Sequence, residues 1–114
     1  MASYEDIHID QGAEFTAEVT VQKDNLDFDL SSYTYAGQIR KTVNSDTIAA
    51  TFAISQSTDP DLPNVLEISL SAAQTALLTA SRYVYDIEVT SDDSDANVYR
   101  ILEGQVTVSK NVTR

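Results

Sequence analysis

The residues able to do chemistry are few and poorly matched to one another. His8 is the sole histidine, so a serine nucleophile would have one possible imidazole base. It alternates with Ile7 and Ile9, which suits the solvent face of an edge strand better than a catalytic cleft. Serines and aspartates are plentiful, but a triad is defined by geometry, and no spacing here singles one out. Eighteen acidic residues guarantee that some carboxylates fall at a glycosidase-like separation, so that coincidence carries no weight. The chain has no cysteine, which excludes thiol catalysis, iron–sulfur clusters and a closed zinc site built on Cys and His. With three glycines there is neither a phosphate-cradling loop nor a dinucleotide fingerprint. The expectation is a protein that is not an enzyme and carries no cofactor.

Calcium is the one ligand with a sequence argument. The run Asp92-Asp93-Ser94-Asp95 and the segment Asp24-Asn25-Leu26-Asp27-Phe28-Asp29 are rich in oxygen donors, and calcium takes six to eight of them. Asp92, Asp93 and Asp95 are therefore weak metal candidates. Neither segment has the spacing of an EF-hand loop, and Asp and Asn are also ordinary turn formers. Asn111-Val112-Thr113 matches a glycosylation acceptor. Without a secretion signal the match is read as chance.

Charge narrows the partners. Seven basic residues against eighteen acidic ones leave a net charge of −11. Nucleic acid needs clustered Lys and Arg to displace its counterions, and an anionic membrane surface needs a basic patch. Neither is expected to bind. Met1-Ala2-Ser3-Tyr4-Glu5-Asp6 has no basic start or apolar run, and no stretch reaches the length of a membrane span.

Any such group must be held by strands. At 114 residues with 42% hydrophobic content the chain is expected to form one domain over residues 1–114, burying about two-thirds of its unfolded surface. Alternation dominates. Phe15, Ala17, Val19 and Val21 share one face while Glu14, Thr16, Glu18 and Thr20 share the other, the mark of a half-buried strand. Residues 33–41 read as a long strand with Gly37 at a bulge or close approach. Ile48 to Ser55 is β-prone, with Phe52 and Ile54 on one face. Leu66, Ile68 and Leu70 point inward from the next strand, after a loop holding both prolines. Ser71 with Gln74 fits a capping box opening one short helix over Ser71–Leu78. Tyr83, Tyr85, Ile87 and Val89 share the face of the strongest strand, and Val98 to Val108 closes the chain with Gly104 as its expected bulge.

About seven short strands and one helix predict an all-β fold, an immunoglobulin-like antiparallel β-sandwich. The likeness is one of architecture, since the Cys and Trp pin of antibody domains is missing. Tyr33, Tyr35, Tyr83 and Tyr85 at i, i+2 spacing are read as core residues with hydroxyls reaching the rim.

Several segments together resemble a family of small tailed-phage virion proteins, including the sandwich domain that opens the upper baseplate protein of some phages. They are Asp10-Gln11-Gly12-Ala13-Glu14-Phe15, Leu30-Ser31-Ser32-Tyr33-Thr34, Gly37-Gln38-Ile39-Arg40-Lys41, Leu70-Ser71-Ala72-Ala73-Gln74-Thr75, Arg82-Tyr83-Val84-Tyr85-Asp86-Ile87 and Leu102-Glu103-Gly104-Gln105-Val106-Thr107-Val108. Their order spans nearly the whole chain, although Ser81 stands where the family often has glycine. The chain is expected to end with this domain, without a distal host-binding module. The resemblance implies a structural part of a phage tail, baseplate or neck, made in the host cytoplasm and carried in the virion. Its expected partners are other virion proteins in a symmetric, multi-copy assembly. A capsid decoration protein and a carbohydrate- or receptor-binding sandwich are the alternatives. Exposed edges such as Ile7–Ile9 or the Val98–Val108 strand would invite pairing, and Arg40, Lys41 and Arg114 are the expected contacts to acidic neighbours.

Overall fold

The computed structural model describes residues 3–23, 26–27, 33–59, 61, 64–79, 81–91 and 98–110. The strands are β1 (Ser3–Tyr4), β2 (Ile7–Asp10), β3 (Phe15–Thr20), β4 (Gln22–Lys23), β5 (Leu26–Asp27), β6 (Tyr33–Arg40), β7 (Ala50–Thr51), β8 (Ala53–Gln56), β9 (Val65–Leu70), β10 (Arg82–Ser91) and β11 (Val98–Ser109), with helix α1 (Ala72–Ala76) between β9 and β10. A broad sheet runs β1-β11-β10-β6-β7, with β2 continuing the β1 edge along β11. A narrow sheet runs β3-β9-β8, and β4 pairs β5 as a small ribbon. The chain is thus an all-β sandwich. Taking β1 with β2 and β7 with β8 as single lines leaves nine strands, seven in the two sheets and two in the β4–β5 ribbon, against about seven that the alternation predicts.

Each inward face is apolar because period-2 alternation puts every second side chain between the sheets. Ile39 from β6, Ile87 and Val89 from β10, and Val106 from β11 meet Leu66 and Ile68 from β9, all essentially sealed from water. Gly37 sits at the closest approach. A Cβ there would lie 2.6 Å from Ile87 Cδ1, 3.0 Å from Ile54 Cδ1 and 3.1 Å from Phe52 Cδ2. Its register with Ile87 is unbroken, so Gly37 makes room for neighbours from both sheets and forms no bulge.

Phe52 is the hinge of the second sheet. Before it, Ala50 and Thr51 pair with Ile39 and Gln38 of β6; after it, Ala53–Gln56 pair with β9. The expected strand from Ile48 therefore changes sheets midway, and Ile48 itself lies outside it, exposed. Phe52 is buried, and its N–H still donates to the Gly37 carbonyl at 2.9 Å.

Helix α1 opens with the capping box: Ser71 Oγ accepts from the Gln74 N–H at 3.2 Å, and Gln74 Oε1 accepts from the Ser71 N–H at 2.9 Å. Buried Thr75 donates to the Ala13 carbonyl at 2.8 Å and accepts from the Gly12 N–H at 3.0 Å. This ties the helix to the turn where Gly12 takes a positive φ of 83°. Just beyond, the Tyr83 hydroxyl accepts from the Thr79 N–H at 2.9 Å and donates to the Thr79 carbonyl at 3.3 Å. That tyrosine corner pins the start of β10 without a disulfide. Burial pushes the Tyr83 phenol up, but hydrogen bonds from Thr79 and Ser81 and the nearby Lys41 ammonium bring it below its usual range.

Two expectations change in the last strand. The register between β10 and β11 slips after Ile87, which faces Leu102, whereas Glu88 faces Arg100. Ile101 is the extra residue, so the bulge lies three positions before Gly104, and Ile101 and Leu102 are both buried there. Gly104 instead accepts the backbone of Glu5, whose carbonyl occupies the space a Cβ would need. The Tyr85 hydroxyl donates to that same carbonyl at 2.6 Å. β11 is also no free edge along Leu102–Ser109, because β1 and β2 run parallel to it on the side away from β10. The edge belongs to β2, as Ile7–Ile9 suggested.

Gly104→Ala is expected to destabilise the domain by about 1–3 kcal/mol through overpacking. A lower urea midpoint, with faster amide exchange at Ile7–Asp10, would record it. Tyr85 gives a pH test. Burial, then the Glu5, Asp6 and Tyr4 charges, push its phenol well above the usual value. Its contribution is complete below the unfolded pKa of about 10. It is lost as pH rises, because the unfolded chain ionises first. Denaturation titrated from pH 8 to 12 should show stability falling above about pH 10, with a shallower fall in Tyr85→Phe.

Candidate functional site

The outward face of the broad sheet is where the described charges gather into a pattern. Alternation along β10 puts Arg82, Val84, Asp86 and Glu88 outward, because Tyr83, Tyr85 and Ile87 are buried between them. Register then sets their neighbours. Val84 lies between Arg40 and Gln105, Asp86 between Gln38 and Glu103, and Glu88 between Ala36 and Arg100. Tyr4 extends the middle row beside Glu103.

Arg40 and Arg100 are oriented by polar contacts, one of them between strands. Arg100 Nε lies 3.4 Å from Asp86 Oδ2, and its Nη1 lies 3.3 Å from Glu103 Oε2. Arg40 donates to the Ser45 carbonyl at 2.8 Å and to Gln38 Oε1 at 2.9 Å. The guanidinium planes are thereby held in place, and a partner's carboxylate would meet groups with little rotamer freedom left to lose. A shallow concavity of about 510 Å³ lies between Tyr4 and Val43, floored by Val84. Tyr4 is 65% exposed and Val43 82%.

Composition separates the two outer faces. Across β6, β10 and β11 stand three arginines (Arg40, Arg82, Arg100) and three carboxylates (Asp86, Glu88, Glu103), with no other charged residue in those strands. Those six charges cancel, and with exposed Asp10 of β2 the face is close to neutral in a chain of net charge −11. The strands of the narrow sheet carry Glu18 and Glu67 and no basic residue. Those two face each other directly across β3 and β9, a like-charge pairing that opposes sheet stability slightly and repels anionic surfaces.

Of the expected contacts, Arg40 lies on the broad face. Lys41 turns to the lower rim, where its ammonium donates to Ser81 Oγ and, at 3.0 Å, to the Arg82 carbonyl, and lies 4.8 Å from the centre of the Tyr83 ring. Arg114 lies outside the described residues, as do the calcium candidates Asp92, Asp93 and Asp95. Among the described residues no three His, Asp or Glu side chains gather as a metal site. His8 is on the exposed outer side of β2, with Nε2 at 2.9 Å from Ser109 Oγ and 3.4 Å from Asp10 Oδ1. Arg82, Arg100 and Tyr4 were not singled out by sequence. The only available signal was alternation with the buried tyrosines, which fixes the face of each residue but not its neighbours.

No helix among the described residues is long and apolar enough to cross a membrane. No protein-family model matches the chain, and no curated protein matches it in sequence.

Proposed function

We propose that this protein is a non-catalytic structural component of a bacteriophage virion, in the tail, baseplate or neck, acting through protein–protein contacts. The observation that carries the contact reading is the charge-balanced outer face of the broad sheet. Two of its three guanidinium groups, those of Arg40 and Arg100, are oriented, and its Tyr4 and Val43 side chains are presented to solvent. Tyrosine and arginine are the residue types enriched at protein interfaces, and charged residues fixed in advance lose less entropy on docking. The virion reading adds the sequence resemblance, which runs through the strands that build this face.

On this reading the sandwich is a rigid spacer. The inward faces hold the fold, and the outer face and rim make the contacts. Arg40 and Lys41, beside one another where β6 ends, meet acidic neighbours. The net negative charge disfavours contact through the acidic surfaces and leaves association to faces and partners of suitable charge.

Quantitative mass spectrometry of purified particles from the phage carrying this gene should find the chain at a fixed multi-copy stoichiometry. Its absence from particles would overturn the reading. Arg40→Glu with Lys41→Glu should cut incorporation at least about tenfold, the scale of losing charged interface contacts. The purified variant should still show a cooperative thermal transition, which separates lost contact from lost fold.

A further inference from the structure

We propose that two copies of this chain pair through the outer faces of their broad sheets, about a two-fold axis crossing the central strand β10 at Tyr85. This rests on the reading of that face as a contact surface and names its occupant as a second copy.

Among the described residues, the side chains of Arg82 and Glu88 make no ion pair, whereas Arg100 is held by Asp86 and Glu103. Arg82 and Glu88 lie on the same outward line of β10, three residues to either side of Tyr85. A two-fold axis lying in the contact plane at that level sets one β10 antiparallel over the other. Arg82 of each copy then faces Glu88 of its mate, so one asymmetric pair of charges becomes two intermolecular ion pairs. This is the reciprocal pattern an isologous interface requires.

The flanking strands obey the same operation without conflict. Along β10, Val84 meets Asp86. Along β6, residues at the levels of Val84 and Asp86 are Arg40 and Gln38, and they meet one another. Along β11, Gln105 meets Glu103, and Thr107, at the level of Arg82, meets Arg100, at the level of Glu88. No like charges are opposed. Packed sheets turn by about 30° relative to one another, so these matches are closest near the axis, where Arg82, Asp86 and Glu88 lie.

Charge and area agree with a second copy. Chains of net charge −11 repel one another, and the pairing that costs least brings together the faces whose charges most nearly balance. The narrow sheet, with Glu18 opposite Glu67, would oppose four carboxylates if it paired with itself. The 38 residues of the broad sheet's strands, at about 4.8 Å between strands and about 3.4 Å per residue, give an outer face of about 600 Å². Specific complexes bury from about that much per partner upward.

The test is sedimentation equilibrium of the purified full chain and three variants. The unaltered chain should give a species of twice the 12.5 kDa chain mass. Arg82→Glu sets a carboxylate against Glu88 at both of the reciprocal contacts, and Glu88→Arg sets a guanidinium against Arg82 at both. Each should raise the dimer dissociation constant at least about tenfold. An equimolar mixture of these two variants should recover a heterodimer, because both cross-pairs become complementary. The double variant Arg82→Glu/Glu88→Arg should recover the homodimer. Both positions point to solvent, and matching thermal transitions would show that the fold is kept. A monomeric unaltered chain, single variants that dimerise normally, or failure of both recoveries would each overturn the pairing. Particle composition is read separately, so a monomeric chain found in virions sinks this pairing alone. A dimer absent from virions sinks only the virion reading.

Discussion

The close approach of the two sheets at Gly37 is the constraint on which the rest of the fold depends. Side chains from the same sheet (Ile87), from the opposite sheet (Ile54) and from the crossing point (Phe52) all converge on the space left by one missing Cβ. A sandwich without a disulfide or a tryptophan must close its core by shape alone. Here closure uses a glycine in the strand next to the centre and a phenylalanine where one strand passes between sheets. Phe52 stacks edge-on to Tyr85 at 6.1 Å and tilts against Phe15 at 6.4 Å. The same ring thus touches both layers. Tyr85 carries the constraint outward, since its hydroxyl holds the Glu5 carbonyl over Gly104 and so fastens the first strand to the last.

That packing is also what shapes the outer face. Because Tyr83, Tyr85, Ile87 and Val89 are locked inward, Arg82, Val84, Asp86 and Glu88 are locked outward. A one-residue slip would exchange the sets and bury charge, so register is strongly specified. The face is therefore as rigid as the core beneath it. The bulge at Ile101 contributes as well: by adding one residue to β11 it sets Arg100 opposite Glu88 while leaving it within reach of Asp86 and Glu103.

Much of the sandwich could be read in the sequence, and the limits have physical causes. Alternation in residues 15–21 and 83–89 and the Ser71–Gln74 capping box are local signals, and they predict β3, β10 and α1 well. The strand change at Phe52 leaves no such trace, because Ala50, Phe52 and Ile54 keep the same parity while their pairing partner changes. Gly104 resembles a bulge in sequence, but its purpose is set by Glu5, nearly a hundred residues away. The parallel docking of β1 and β2 on β11 depends on the same distant contact. For the candidate face, Arg40 was visible as a charge at a strand end. That Arg82 and Glu88 have no ion-pair partner among the described residues, while Arg100 is satisfied, depends on the β10–β11 register, which no local pattern encodes.

The central claim is that the outer face of the broad sheet, and not the helix end of the sandwich, makes the protein's contacts. Hydroxyl-radical footprinting of the free chain, held monomeric by Arg82→Glu, and of the unaltered chain in particles tests it most directly. Tyr4 and Val43 border the face, and Leu77, 82% exposed beside α1, serves as the internal reference. The account predicts that oxidation of Tyr4 and Val43 falls on assembly while that of Leu77 is unchanged. Protection at Leu77 with Tyr4 and Val43 still fully reactive would contradict it.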